Sequence, residues 1–285
     1  MNIRYLNLNQ VSPEIYSSMW EIDQVIDIKE PTIIRWTADR LICHFWEYFK
    51  INKDISKIFT SPELTNIYIM RSYTQDDYFF PDLEESKVFE KRDELGYYIE
   101  TPDVSNWIIL LPDKNKPKKM DVTNHMTLQK ILKERNIKTK HVSNDLFLRD
   151  SIENKWKKFV GSLYRTAKYN YSCAEFTLTW VFDPTTTNKI RSVAKKENIR
   201  IKKFKVDDIG ERAVGLSEIY PTLNREEIEL EFVNRVSNFY DLTVKNDSLT
   251  TEEEEKLFDR GKKRLMDKDW QYKGINDNFG DSSYE

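Results

Sequence analysis

Lys158 and Gly161 are the residues whose types and spacing are best placed to do chemistry. They lie in the run Lys158-Phe-Val-Gly161-Ser162, which reads as a strand with a glycine at its centre. Glycine inside a strand marks a bulge or a close approach by another backbone or a ligand. A lysine three residues before it can reach an anion held over that gap. The plainer alternative is a hairpin with a solvated lysine. Two further strands must position this one. Asp145 to Leu148 is apolar and bounded by polar residues, with Asn144 just before it. Glu175 to Phe182 alternates and is rich in aromatics and threonine.

Around this stretch the chain of 285 residues is long enough for one large α/β domain or two small ones. Charged residues make up 33% and hydrophobic ones 39%, a polar but globular balance. The net charge of -3 gives no field that favours nucleic acid or an acidic membrane. The basic runs Lys114 to Lys119 and Lys202 to Lys205 leave nucleic-acid binding as the weakest reading. Two cysteines, Cys43 and Cys173, make no disulfide framework and point to a reducing compartment. The three histidines show no metal-ligand spacing, so no transition-metal site is expected. No apolar run is long enough to span a bilayer and no signal peptide opens the chain, so a cytoplasmic protein is expected. Seven glycines are few for an enzyme that cradles phosphate with backbone amides.

In order, residues 2 to 8 read as a strand. A helix opening at Ser12-Pro13 runs to about Ile28 on Ile15, Met19, Ile22 and Ile26. Residues 32 to 36 and 41 to 45 read as a strand pair. Thr123 to Asn136 is an amphipathic helix with Met126, Ile131 and Leu132 inward. Pro184 opens a helix to residue 197. Asn224 caps one running to Tyr240 on Ile228, Phe232, Val236 and Phe239. Thr250 and Glu253 form a capping box for the last helix. Residues 275 to 285 are polar and read as a disordered tail.

The segment Lys158-Phe-Val-Gly-Ser-Leu-Tyr-Arg-Thr-Ala-Lys168 resembles the K-x-[SA]-G-S-A-Y-R-x-x-K segment of the lipoate–protein ligase A family. Asn144-Asp145 stands where that family has its N-D strand, and Thr177 and Asp183 where it has H-G-T-L-L-x-N-x-D. Arg212-Ala-Val-Gly-Leu-Ser-Glu218 is similar to its R-V-x-N-L-x-E, and Trp270-Gln-Tyr272 to its terminal W-x-Y. Residues 88 to 112 resemble the family's V-V-R-R-x-S-G-G-G-A-V-Y-H-D-x-G-N-L-N-Y. There Gly96 matches the third glycine and Asn106 the asparagine. Glu94 and Leu95 replace the first two glycines, Glu90 and Lys91 the arginines, and Glu100 the histidine.

The resemblance spans residues 3 to 274 and implies a biotin/lipoyl protein ligase fold: mixed β-sheets flanked by helices in one α/β domain, residues 1–274, lacking the larger ligases' C-terminal accessory domain. It also implies an ATP-dependent reaction in which lipoate or a related short acid becomes an acyl-adenylate and is passed to a lysine of a lipoyl-type carrier domain. Lys158 would be the catalytic lysine that stabilises charge on phosphate and acyl oxygens. Asp145 would orient it or hold Mg2+. Asn144 would hydrogen-bond ligand or backbone, and Gly161 would leave room for nucleotide or acyl chain. Ser162, Gly96, Asn106 and Thr177 complete the implied binding set. The altered glycine loop supports a second reading, a ligase fold without catalysis that binds another protein. The abundance of Asn, Lys and Ile points to an AT-rich genome, such as a viral one, where divergent copies are common.

Overall fold

The computed structural model describes residues 1–48, 54–74, 96–100, 103–111, 117–142, 145–150, 152–166, 171–199 and 212–273. Alternating strands build an eight-stranded mixed sheet, in the order β11-β1-β2-β6-β10-β9-β8-β7. These are β1 (Asn2–Val11), β2 (Thr32–Ala38), β6 (Val104–Leu111), β7 (Thr139–Val142), β8 (Asp145–Asp150), β9 (Lys155–Thr166), β10 (Ser172–Thr179) and β11 (Thr243–Asp247). The pairs of β1 with β2 and with β11 are parallel, and the remaining pairs are antiparallel. A three-stranded sheet holds β3 (Ile42–Tyr48) between β4 (Tyr68–Thr74) and β5 (Gly96–Glu100).

Each face of the large sheet is covered, which is why β2 and β6 are buried along their whole length. One face carries Trp107, Phe176, Leu146 and Leu148 against two helices, α4 (Pro117–Glu134) and α7 (Arg225–Phe239). Trp107 stacks on Phe176, and Phe232 meets both edge-on. The other face carries Ile34, Trp36, Ile108 and Leu110. It packs on α1 (Pro13–Met19), α2 (Ile22–Val25), Ile42 and Met70 of the small sheet, and Leu257 of α8 (Thr251–Met266). Each large apolar side chain buried in this way contributes about 1.5–3 kcal/mol. Short helices α3 (Ser56–Phe59), α6 (Leu216–Ile219) and α9 (Lys268–Lys273), and the longer α5 (Pro184–Lys196), fill the periphery.

The helix expected from Pro13 to Ile28 breaks after Met19. Trp20 turns onto Trp36, and the Glu21 carboxylate is taken by Arg264 of α8. The strands near 32–36 and 41–45 do not pair with each other, because β3 belongs to the small sheet. Met126 and Phe239 are exposed rather than inward, and Leu128 takes the inward place on α4. Strand β11 has no counterpart among the sequence expectations. The expected tail at 275–285, Asn144, and the substituted loop residues Glu90, Lys91, Glu94 and Leu95 lie outside the described residues.

Candidate active site

Strand register collects most of the expected residues into one transverse row. Asn106 on β6 stands opposite Thr177 on β10, Thr177 opposite Gly161 on β9, and Gly161 opposite Asp145 on β8. Residues directly opposite one another share a face. The row continues on the other side to Trp36 of β2, which pairs with Asn106. Thr177 Oγ1 donates to Asn106 Oδ1 at 2.8 Å, which fixes the buried amide. Glu175, 4% exposed, lies two residues along β10 on the same face, and Cys173 Sγ is 3.6 Å from its Oε1. The sequence reading did not single out Glu175; a lone acid in an aromatic strand was its only signal.

Lys158 reaches this row through a β-bulge. In a regular strand, residues three apart point to opposite faces. Here Leu146 opposes Val160 and Phe147 opposes Lys158, so Phe159 is an extra residue. Phe159 and Val160 both enter the core beneath α4 and α7, and Lys158 and Gly161 therefore share the opposite face. The bulged backbone is held by the segment before α6. Lys158 N donates to Arg212 O at 2.8 Å, and Val214 N donates to Lys158 O at 3.0 Å. Gly215, next in line, approaches so closely that a Cβ would sit 2.3 Å from Trp180 O.

From there the Lys158 ammonium crosses above Gly161 to Asp145, with Nζ 2.8 Å from Oδ1. A Cβ on Gly161 would lie 3.1 Å from that Nζ. The glycine thus clears a path for the lysine itself. The side chains are 43% and 31% exposed. A pair so open to water contributes no more than about 1 kcal/mol, so parting the two side chains costs little. Asp145 is one carboxylate, and among the described residues no group of three or more His, Cys, Asp or Glu converges on a metal position. A single carboxylate fits Mg2+ delivered with a nucleotide's phosphates, that ion's usual mode of binding, rather than a cage of protein ligands.

Two expected site residues stand elsewhere. Ser162 opposes Phe176 and so faces α4, away from Lys158, where its Oγ lies 3.0 Å from His125 Nε2. Gly96 begins β5 in the small sheet, opposite Trp46. Asp183 caps α5, accepting from the amides of Thr185 and Thr186.

Behind the row lies a buried ionic cluster. Glu229 of α7 takes Arg35 at 3.1 Å and Arg225 at 3.0 Å, and accepts from Ser105 Oγ and from Trp180 Nε1. Burial beside this carboxylate pushes the Tyr5 hydroxyl up to about 12. The cluster joins α7 to β2 and β6 and so fixes the strands from which Asn106 projects.

No family model matches the sequence, nor does any curated protein. Solved structures do match over nearly the whole chain. An archaeal lipoate protein ligase from Thermoplasma acidophilum, determined in a study of a bi-partite ligase and its E2 lipoyl domain, superposes with a TM-score of 0.64 at 11% identity. That match covers 97% of this chain and 100% of the other. A lipoate-protein ligase A bound with ATP gives 0.62 at 13% identity, covering 96% and 100%. P. falciparum LipL1 in complex with lipoate gives 0.58 at 16%, covering 98% and 75%. At these identities the match shows a common fold.

Proposed function

We propose that this chain, which has the fold of lipoate-protein ligases, is an AMP-forming acyl–protein ligase acting on lipoate or a related short acid. The observation that carries the reading is the bulge in β9, which sets Lys158 on the face of Asn106, Thr177, Gly161 and Asp145. The binding of lipoate and of ATP by proteins of this fold supports the substrate class.

In the first half-reaction the acid's carboxylate attacks the α-phosphate of ATP, and pyrophosphate leaves. In the second, a carrier lysine attacks the acyl carbon, and AMP leaves. Both steps gather negative charge on phosphate or acyl oxygens. Lys158 exchanges Asp145 for those oxygens and stabilises the charge electrostatically. Asp145 holds the ammonium in place before the substrates arrive and is the residue that would hold Mg2+ accompanying the phosphates. That ion, when bound, neutralises phosphate charge. Thr177 and Asn106 supply the polar floor on which the nucleotide or acid is oriented. The acceptor is a lysine on a lipoyl-type domain, the kind of partner studied with the T. acidophilum ligase.

The test is ATP–pyrophosphate exchange with lipoate, octanoate and shorter acids. Exchange with one of them is expected, falling by about 10²–10³-fold in Lys158→Ala, the usual loss when one charge-stabilising donor is removed. Absence of exchange with every acid, together with absence of ATP binding by calorimetry, overturns the reading and leaves a protein-binding role for the fold.

A further inference from the structure

On the opposite side of β9 from Lys158, three side chains distant in sequence form a continuous hydrogen-bonded chain. Ser162 Oγ is 3.0 Å from His125 Nε2, and His125 Nδ1 is 2.8 Å from His141 Nε2. The imidazoles meet edge to face, with ring centroids 4.5 Å apart. Ser162 comes from β9, His125 from α4 and His141 from the edge strand β7. One helical turn further on, Gln129 Nε2 donates to Thr139 Oγ1 at 3.0 Å, which fixes α4 over β7 and so sets the histidine pair.

We propose that Ser162 is a nucleophile, activated by His125 and positioned through His141, that accepts acyl groups from carboxylic esters or thioesters. A serine is a weak nucleophile until an adjacent base takes its proton and a third group orients that base. The observed order is serine, base, orienting group. A hydrogen bond between two imidazoles requires one N–H and one lone pair, so the chain has two polarities. In one of them His125 Nδ1–H donates to His141 Nε2, and the Nε2 lone pair of His125 accepts the serine proton. His125 is 2% exposed, so the base is held away from bulk water, whereas Ser162 and His141 are only half-buried.

In the reaction the Ser162 Oγ–acyl bond forms as the bond from acyl carbon to the leaving oxygen or sulfur breaks. The serine proton passes to His125 Nε2 and then to the leaving alcohol or thiol. Water, deprotonated by the same nitrogen, attacks the acyl-serine, and the acid departs as Oγ regains its proton. His125 is the general base and His141 a positioning residue. This site is separate from the Lys158 row and needs neither ATP nor a free acid.

The test exposes the full chain to an alkyl fluorophosphonate, without ATP or acid, and maps the adduct by mass spectrometry. A phosphonyl adduct on Ser162 is expected. Its rate of formation rises with pH in the native chain. In His125→Gln it falls by about 10²-fold and loses that rise, since a general base contributes about 10²–10⁴-fold. Should His125→Gln fail to fold by thermal melting, His141→Gln on the half-buried edge strand takes its place, with slower labelling expected. No adduct on Ser162, or an adduct whose rate ignores these variants, overturns the proposal. Because labelling needs no ATP, its outcome is read independently of the exchange assay.

Discussion

Gly161→Ala separates two roles that a glycine can have at this position. Gly161 carries no left-handed φ, so alanine accepts its backbone. Replacing glycine where the conformation is compatible stabilises by about 0.4–1 kcal/mol through the unfolded chain. Against this, the new Cβ would lie 3.1 Å from Lys158 Nζ and 3.2 Å from Cε. That contact is tight, but its partner is the far end of a flexible side chain. Loosening the exposed pair with Asp145 costs at most about 1 kcal/mol. The net change in stability stays within about 1 kcal/mol, or roughly 2–4 °C in melting temperature. Catalysis is affected more. A displacement of about 1 Å in a positioned group costs about 10²-fold, and the few tenths of an ångström forced here place the loss of exchange near 10-fold for alanine. For valine it approaches 10²-fold. In Lys158→Ala the glycine has nothing left to accommodate, so adding Gly161→Ala should slow exchange no further. A folded Gly161→Val variant with undiminished exchange, or a double variant slower than Lys158→Ala alone, would refute the reasoning.

Two further outcomes follow from buried contacts. Gly261→Ala on α8 would place a Cβ 1.7 Å from the Glu14 carbonyl oxygen of α1, a backbone atom that cannot turn aside. Prying the helices apart should cost about 3 kcal/mol in chemical denaturation, and a variant as stable as the native chain would count against the packing described. His44 in β3 is fully buried, and burial, reinforced by Arg264, holds its imidazole down from 6.5 to about 3. The fold therefore favours the neutral form. The stability this contributes is complete above pH 6.5 and is lost as pH falls toward 3, at about 1.4 kcal/mol per unit. Denaturation midpoints should fall less steeply below pH 6.5 in His44→Gln than in the native chain; equal slopes would remove His44 from the account.

Much of this architecture is legible in the sequence because local and long-range signals agree. The Thr250–Glu253 box caps α8 as its spacing implies, and Asn224 caps α7. Alternation in β10 places Phe176 with the helices and Thr177 with the row. Other features escape because neighbouring residues do not encode them. Both β2 and β3 are apolar, and nothing in either strand says that they enter different sheets. Strand β11 is largely exposed, so it lacks the apolar alternation that betrays a strand. Phe239 follows helical spacing but falls at the margin of its apolar stripe, whereas Met126 stands five and six residues before Ile131 and Leu132, outside the i, i+3, i+4 pattern, and so turns away from them. The bulge in β9 did leave a trace. Phe159 and Val160 are consecutive apolar residues, and both can be buried on one face only if the strand skips a step. The family resemblance implies one binding set for Gly161 and Ser162, whereas the pleat sends the two to opposite faces.

Strand β1 is flanked by β2 on one side and by β11 on the other, pairing Asn2 with Thr243. Arg4 is gripped by Asp247 and Glu253, Ser18 Oγ donates to Leu257 O, and Ile55 N donates to Tyr272 O. During synthesis, then, β1 emerges long before the segment that covers it. One edge of β1, with its row of backbone amides and carbonyls, waits until residues 243–247 have left the ribosome, and the outer face of α1 waits for α8. Contacts of such sequence separation slow folding and leave an open strand edge able to pair with other nascent chains. The protein is thereby committed to folding late, close to the completion of residues 243–273, and its yield in the cell depends on how well that edge is guarded in the interval.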